Sequence, residues 1–116
     1  MTYLFIVNDS PYGSQRTYNA LRLAVSIARS AESHVEMFLF GDGVTAGLGQ
    51  VSPLNAFYNP QEMLAQLARS GAEIGACKTC LEQRGISDEM LLACVKRRTL
   101  DDLTAWTEHA DKVLTF

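Results

Sequence analysis

Two cysteines separated by two residues, Cys77 and Cys80, are the side chains of this sequence best suited to chemistry. They follow a short apolar run over residues 72–76 and precede a stretch with helical periodicity. A cysteine where a strand gives way to a helix would present its thiol to solvent beside unpaired backbone N–H groups, and that setting favours the thiolate. The thiolate is the nucleophilic form of cysteine, so the arrangement predicts sulfur or redox chemistry at Cys77.

The spacing also gives each cysteine a role. Cys77 and Cys80 lie on one face, one turn apart, if the helix begins at or just before Cys77. Cys77 is then nearer to the helix start, where amide dipoles and the charges of Lys78 and Arg84 would stabilise an anion. We therefore expect Cys77 to be the nucleophile and Cys80 to tune or resolve its chemistry.

Other interpretations of the cysteine pair stay open. Free cysteine is among the most buried residue types, so both thiols could be small core side chains under a loop. Zinc is a third possibility, but one chain offers no second C-x-x-C or H-x-x-x-H, and we predict neither metal nor cofactor. A thioredoxin-type disulfide exchanger is disfavoured, because those sites use a later cis-proline and all three prolines here precede the cysteines.

Length and charge narrow the function classes. The chain has 116 residues, of which 47% are apolar, and this predicts a single domain over residues 1–116. The net charge is −3, and the one basic run, residues 96–98, is expected to be a solvated face, so neither nucleic acid nor a membrane surface is a predicted partner. No apolar segment approaches the roughly 20 residues of a membrane span, and residues 3–7 are too short for a signal sequence. We expect a cytoplasmic protein whose thiols are kept reduced.

Strands and helices are predicted to alternate along the chain. The predicted strands cover residues 2–8, 34–40, 72–76 and 112–116. The predicted helices cover residues 15–31 and 60–70, about two turns after Cys77, and a last segment from residue 99. Residues 91–95 fit either a helix or a short strand. Short crossovers between strands make parallel neighbours, so we predict an α/β fold, a three-layer α/β/α sandwich with a parallel sheet of four to five strands.

Three loops are expected to meet at the carboxyl ends of these strands, where ligands gather in such sheets. They cover residues 9–14, 41–59 and 77–80, and the second contains Phe57 and Tyr58, aromatic residues expected to lie at a subunit or partner interface. The predicted catalytic residues are Cys77 and Cys80. The predicted substrate or partner loop consists of Asp9, Ser10, Tyr12, Gly13, Asp42 and Lys78.

Several segments together resemble the DsrE/DsrF-like family of small sulfur-related proteins. They are Asn8-Asp9-Ser10-Pro11-Tyr12-Gly13, Phe40-Gly41-Asp42-Gly43-Val44, Cys77-Lys78-Thr79-Cys80-Leu81 with Arg84-Gly85-Ile86, and residues 110–116. The resemblance implies a parallel α/β sandwich that forms a homotrimer or homohexamer, or a hetero-hexamer in the sulfur-relay branches. It also implies persulfide sulfur carried on a cysteine at the end of the third strand, and Cys77 is the residue that matches.

These observations lead to two hypotheses from different classes. The first is a cytoplasmic sulfur-handling protein, a persulfide sulfur carrier or transferase that exchanges sulfur with donor and acceptor proteins. The alternative is a non-catalytic oligomeric binding module whose cysteines are structural or bind a metal shared between subunits.

Overall fold

Five strands alternate with helices in the computed structural model of the chain, which describes residues 1–49 and 58–116. The strands are β1 Thr2–Val7, β2 His34–Leu39, β3 Glu73–Cys77, β4 Val95–Arg98 and β5 Lys112–Thr115. The α-helices are α1 Arg16–Ala28, α2 Pro60–Arg69, α3 Lys78–Gln83 and α4 Leu100–His109. Two 3-10 helices cover Gly41–Gly47 and Asp88–Met90.

The strands form one sheet in the order β4-β3-β2-β1-β5, and every neighbouring pair is parallel. The predicted α/β fold with a parallel sheet is confirmed. The first three crossovers step along the sheet in one direction, while the connection through α4 returns the chain to the far side of β1. The carboxyl ends of β2 and β3 therefore lie side by side.

Local sequence signals explain where two of the helices begin. The Asn59 side chain accepts a hydrogen bond from the Glu62 backbone N–H over 3.0 Å, and Pro60 occupies the first helical position of α2. Thr99 and Asp102 form a reciprocal capping box at the start of α4. Each cap satisfies backbone N–H groups that the first helical turn leaves without partners.

The side chains of the central strand β2 pack into the core on both faces of the sheet. Leu39 lies towards the Gly41–Gly47 helix, since a Cβ at Gly47 would touch it, whereas the Phe38 ring packs edge-on against Trp106 of α4 at 6.0 Å. Successive strand residues point to opposite faces, so the 3-10 helix and α4 cover opposite sides of the sheet. Helices α1 and α2 pack on each other. Trp106 is buried, as predicted.

Residues 96–98 lie in a strand, β4, which begins at Val95, whereas the sequence indicated a helix or a short strand only over residues 91–95. The expectation of a solvated charge run is wrong for Arg97 and Arg98, which are half-buried in the edge strand β4. Arg97 donates hydrogen bonds to Asp88 over 2.6 Å and to the Ile86 carbonyl over 2.9 Å. An edge strand tolerates charged side chains because one of its sides is unpaired.

Other elements differ from prediction mainly at their ends. Helix α1 covers Arg16–Ala28 and is shorter at both ends than predicted, and the last strand ends at Thr115. The predicted loop over residues 41–59 begins with a 3-10 helix, while its residues 50–57, Phe57 among them, lie outside the described residues. Within the described ranges, no helix is long and apolar enough to cross a bilayer.

Candidate functional site

Cys77 stands at the junction between β3 and α3. It is the last residue of the strand and the N-cap of the helix, with an extended backbone at φ −60° and ψ 121°. Cys77 is only 4% exposed, so the expectation that it presents its thiol to solvent is wrong. The Gly41–Gly47 helix packs against both β3 and α3, and this cover was not predicted from the sequence.

Cys80 lies one turn further along α3 and is only half-buried. Its Sγ accepts a hydrogen bond from the backbone N–H of Gly41 over 3.2 Å. Gly41 has a φ of +54°, in the left-handed region that favours glycine, and it comes two residues after the end of β2. The site therefore contains a fixed N–H donor aimed at the more accessible sulfur.

The Cys77 thiol influences the ionisation of its neighbour Cys80. Burial raises the pKa of the Cys80 thiol, and the hydrogen bond with Cys77 raises it further, while the Gly41 N–H and the Arg84 charge act in the opposite direction. Helix α3 has six residues and so contributes a short run of aligned backbone dipoles. Cys80 is consequently a thiol whose ionisation depends on its immediate hydrogen-bond donors and on Arg84.

Arg84 connects the cysteine helix to the 3-10 helix above it. Its Nη2 and Nε donate to Oδ1 of Asp42 over 2.7 Å and 3.3 Å, and its Nη1 donates to the carbonyl of Cys80 over 3.0 Å. Asp42 was predicted as part of a substrate or partner loop, and the structure places it next to the cysteine helix. Arg84 follows Cys80 by four residues, a helical spacing that signals this contact in the sequence.

Gly43 holds the 3-10 helix against the end of β1. Its N–H donates to the carbonyls of Asn8 over 3.1 Å and Phe40 over 2.8 Å. A Cβ at this position would lie 2.1 Å from the carbonyl oxygen of Val7, which no side chain could tolerate without backbone movement. Glycine is therefore required here for close approach of two backbones, and the Gly41 donor is fixed as a result.

The polar groups of the β1–α1 loop are engaged within their own segment. The Asp9 carboxylate accepts from Ser14 over 3.0 Å and its carbonyl accepts from Thr17 over 2.6 Å, while Ser10 Oγ accepts from the N–H of Tyr12 over 3.3 Å. Gly13 has a φ of +98°. Strand β2 separates this loop from β3, which at about 4.8 Å per strand puts the two strand ends roughly 10 Å apart. These contacts close the loop, and the role predicted for it stays a prediction.

Three tyrosines cluster beside that loop. Tyr12 is exposed and its ring lies 5.9 Å from that of Tyr58, which stacks on Tyr18 at 4.8 Å. The Tyr58 hydroxyl donates to the Pro11 carbonyl, and burial raises the pKa of Tyr58. Lys78 is exposed at the start of α3.

Arg98 is a further cation whose position the sequence did not indicate. It is the register partner of Cys77, and its stem crosses Gly75, where a Cβ would lie 2.7 Å from the Arg98 Cγ. Its Nε is buried and has no hydrogen-bond partner among the described residues. The pairing of β3 with β4 brings this residue beside the cysteine strand, and pairing of that kind is not visible in local sequence.

A separate polar cluster lies near the amino end of the sheet. Oε1 of the buried Glu36 is 2.7 Å from Nε2 of His109 and 3.7 Å from Nε2 of His34, while Oε2 has no partner in the described part of the chain. The bond to Glu36 raises the pKa of His109. Within residues 1–49 and 58–116, no group of three or more His, Cys, Asp and Glu side chains is arranged to hold a metal ion.

Comparisons with known proteins add independent information. A sequence profile of the DsrE/DsrF-like family matches residues 1–116. The protein YchN of Escherichia coli K12 is 44% identical over 115 residues, which cover 97% of each chain. The crystal structure of the ychN protein from E. coli superposes with a TM-score of 0.91 at 42% identity and covers all of both chains. A sulfurtransferase TusD homologue of Vibrio parahaemolyticus is 30% identical over 90 residues, or 77% of this chain and 69% of that protein.

Proposed function

Because this chain belongs to the DsrE/DsrF-like family, we propose that it is a sulfur carrier or sulfurtransferase that holds sulfane sulfur on the Cys77 and Cys80 pair. The observation that carries the proposal is the pair of adjacent thiols at the carboxyl end of β3, with the Gly41 N–H bonded to one of them. The relation to a protein named as a sulfurtransferase TusD homologue supports the same chemistry.

The reaction is a transfer of one sulfur atom between thiols. A cysteine thiolate of the pair attacks the outer sulfur of a donor persulfide, R–S–SH, forming a new S–S bond while the donor's S–S bond breaks. The protein then carries a persulfide, and the donor leaves as a thiolate. An acceptor thiolate attacks the same outer sulfur in the second half of the cycle, and the protein cysteine is released unchanged.

Two groups beside the pair favour a sulfur anion and oppose the effect of burial, which raises the pKa of Cys80. The Gly41 N–H is a donor at hydrogen-bonding distance from one sulfur, and Arg84 brings a positive charge that is fixed by Asp42. Hydrogen bonds to a charged group are roughly twice as strong as those between neutral groups, so both features favour the anionic form of a bound persulfide.

The partners and setting of this activity belong to the same proposal. We infer a homotrimer or homohexamer that exchanges sulfur with donor and acceptor proteins in the cytoplasm, where thiols are kept reduced. Sedimentation velocity of the purified protein measures the assembly directly. A monomer at micromolar concentration would contradict the oligomer.

Burial of Cys77 favours one competing function, a non-catalytic oligomeric binding module with structural cysteines. The two candidates differ in what the thiols do with a persulfide. Intact-mass analysis after incubation with cysteine persulfide is expected to show one added sulfur on the wild type and on Cys94→Ser, and none on the variant that lacks both Cys77 and Cys80. A wild type that gains no sulfur would reject the carrier and leave the binding module.

A further inference from the structure

We propose that Arg98 determines donor specificity at the sulfur site, and that it binds the carboxylate of a low-mass persulfide whose carboxyl group lies close to the transferred sulfur. This inference rests on the proposed function and adds a class of small donor to the donor proteins. Three observations on Arg98 support it: its place beside Cys77, its unpaired side chain and the fixed path of its stem.

Strand register puts Arg98 beside Cys77. The two residues are partners in the parallel pairing of β3 with β4, so their backbones lie about 4.8 Å apart. Register partners project to the same face of a sheet, and alternation along β3 gives Cys77 the same face as Gly75. The Arg98 stem lies over Gly75 on that face, next to Trp106 of α4. Arg98 is therefore a cation on the same side of the sheet as the thiol, one strand away.

The guanidinium of Arg98 has no fixed acceptor. Its Nε is buried, and in the part of the sequence that the structure describes the side chain forms neither a hydrogen bond nor an ion pair. Arg84 and Arg97, also half-buried, each pair with an aspartate at 2.7 Å and 2.6 Å. Asp102, four residues after Arg98, already uses its carboxylate to bind the N–H and hydroxyl of Thr99. A buried N–H without an acceptor is costly, and a bound anion would supply one to Arg98.

The path of the Arg98 stem is fixed by its neighbours. A Cβ at Gly75 would lie 2.7 Å from the Arg98 Cγ and 3.4 Å from Cη2 of Trp106, so glycine leaves the room that the stem occupies. Glycine weakens a strand, and in a strand interior it often marks a close approach of this kind. A side chain that is already ordered loses little entropy on binding, which favours recognition of a small ligand.

A carboxylate is the anion that suits this residue. The planar guanidinium presents paired N–H groups that match the two oxygens of a carboxylate. Cys77 is 4% exposed, and a small donor fits such burial more readily than a protein surface does.

The carboxylate stays outside the bond-making step. The Cys77 thiolate attacks the outer sulfur of R–S–SH, a new S–S bond forms on Cys77, and the donor leaves as the thiolate R–S⁻ with the electron pair of the broken bond. The protein then carries Cys77–S–SH, and the carboxyl group on R is unchanged. Arg98 therefore acts by binding and orienting the donor.

The experiment compares two small donors that differ in charge, the persulfide of mercaptoacetate and the persulfide of its neutral amide, mercaptoacetamide. Addition of one sulfur is followed by intact mass and peptide mapping over a range of donor concentrations. The wild type should reach half-saturation at a lower concentration of the carboxylate. Arg98→Gln should raise that concentration by roughly fivefold to twentyfold and leave the limiting rate and the amide reaction within about twofold, since only binding of the carboxylate is lost. Arg98→Lys, which keeps the charge without the paired N–H groups, should fall in between.

Lys96→Gln is the matched control. Lys96 lies on β4 two residues before Arg98, projects to the same face by alternation and is exposed. Its removal should leave half-saturation by either donor within about twofold of the wild type, because an exposed charge contributes little.

The ratio of the two donors decides the result, and it is measured on one protein sample, so a partial loss of folded protein cancels. An unchanged ratio in Arg98→Gln, or an equal change in Lys96→Gln, would overturn the inference and leave the proposed function standing. A wild type that gains sulfur from neither donor would reject the proposed function as well.

Discussion

The backbone N–H of Gly41 donates a hydrogen bond to Sγ of Cys80 across 39 residues of sequence. Gly41 follows β2 and Cys80 lies just beyond β3, and these strands are adjacent and parallel. Both segments consequently leave the sheet at the same edge. The donor at the cysteine site is thus supplied by the strand order and not by the residues around the cysteines.

Replacing Arg84 tests whether its charge acts on Cys80. Arg84→Gln removes a cation that lowers the pKa of Cys80, so less thiolate is present at neutral pH. We expect alkylation of Cys80 by iodoacetamide, followed by peptide mapping, to slow by roughly twofold to fivefold, as for loss of a partly exposed charge. The rate should recover as the pH is raised.

Arg97→Gln is the matched control, because its side chain is 24% exposed against 30% for Arg84 and also pairs with an aspartate, Asp88, at 2.6 Å. It should leave the alkylation rate of Cys80 near the wild-type value. Equal slowing in both variants would show that Arg84 acts only through general loss of structure.

Gly43→Ala tests the close approach of the 3-10 helix to β1. The new Cβ would lie 2.1 Å from the Val7 carbonyl oxygen, and a backbone atom cannot move aside as a side chain can. We expect the free energy of unfolding in urea to fall by about 1–3 kcal/mol or more. Gly47→Ala is the control, since its Cβ meets only side-chain atoms at 3.2–3.5 Å, and it should cost clearly less. Equal losses would contradict the packing argument.

His109→Gln tests the bond between His109 and the buried Glu36. The pKa of His109 is raised in the folded state by this bond, so its contribution to stability is complete below the ordinary value of 6.5 and is lost as the pH rises through the folded-state pKa. The difference in unfolding free energy between wild type and variant should therefore be larger near pH 6 than near pH 9.

His34→Gln serves as the comparison for that measurement. Nε2 of His34 is 3.7 Å from the same Glu36 oxygen, against 2.7 Å for His109. Removal of the His34 imidazole should change the pH dependence of the unfolding free energy less than removal of the His109 imidazole. If the difference in unfolding free energy between wild type and His109→Gln does not change with pH, the ion pair does not contribute to stability.

Thr99→Ala tests the capping box that starts α4. The substitution removes the acceptor of the Asp102 N–H and is expected to lower the unfolding free energy by about 1 kcal/mol. Thr104→Ala, in the same helix and exposed, should change it little, because alanine is the better helix former. A cost at position 104 as large as that at 99 would refute the cap as the cause.

Much of the fold follows from local sequence signals. The apolar runs of β1 to β3, the cap at Asn59 and the box at Thr99 are short-range patterns, and each predicted element is present. Strand β4 was harder to predict, because Lys96, Arg97 and Arg98 carry charge. These residues adopt the strand conformation through pairing with β3. β-structure depends more on such context than helices do.

The residues of the candidate site could be predicted from the sequence, but the exposure of Cys77 to solvent could not. The cysteine spacing indicated that both cysteines lie at the start of one helix, and Cys77 is the N-cap of α3 with Cys80 in its first turn. Cys77 is buried, and the helix that packs against both β3 and α3 begins 36 residues earlier in the chain, at Gly41. The pairing of Glu36 with His109 could not be predicted for the same reason, since the two residues are 73 positions apart. Contacts of that range are set by topology, which a local pattern does not encode.

The position of β5 next to β1 has a consequence for how this protein folds during its synthesis. The Thr2 N–H donates to the side chain of Asp111, just before β5, across 109 residues, while β1 meets β2 on its other side. A nascent chain can complete β1, β2 and β3 well before β5 leaves the ribosome. Until then, the backbone groups on one side of β1 remain unpaired. Such an open edge invites aggregation, and the long wait makes prompt shielding by chaperones more valuable for this topology than for a sheet built in sequence order.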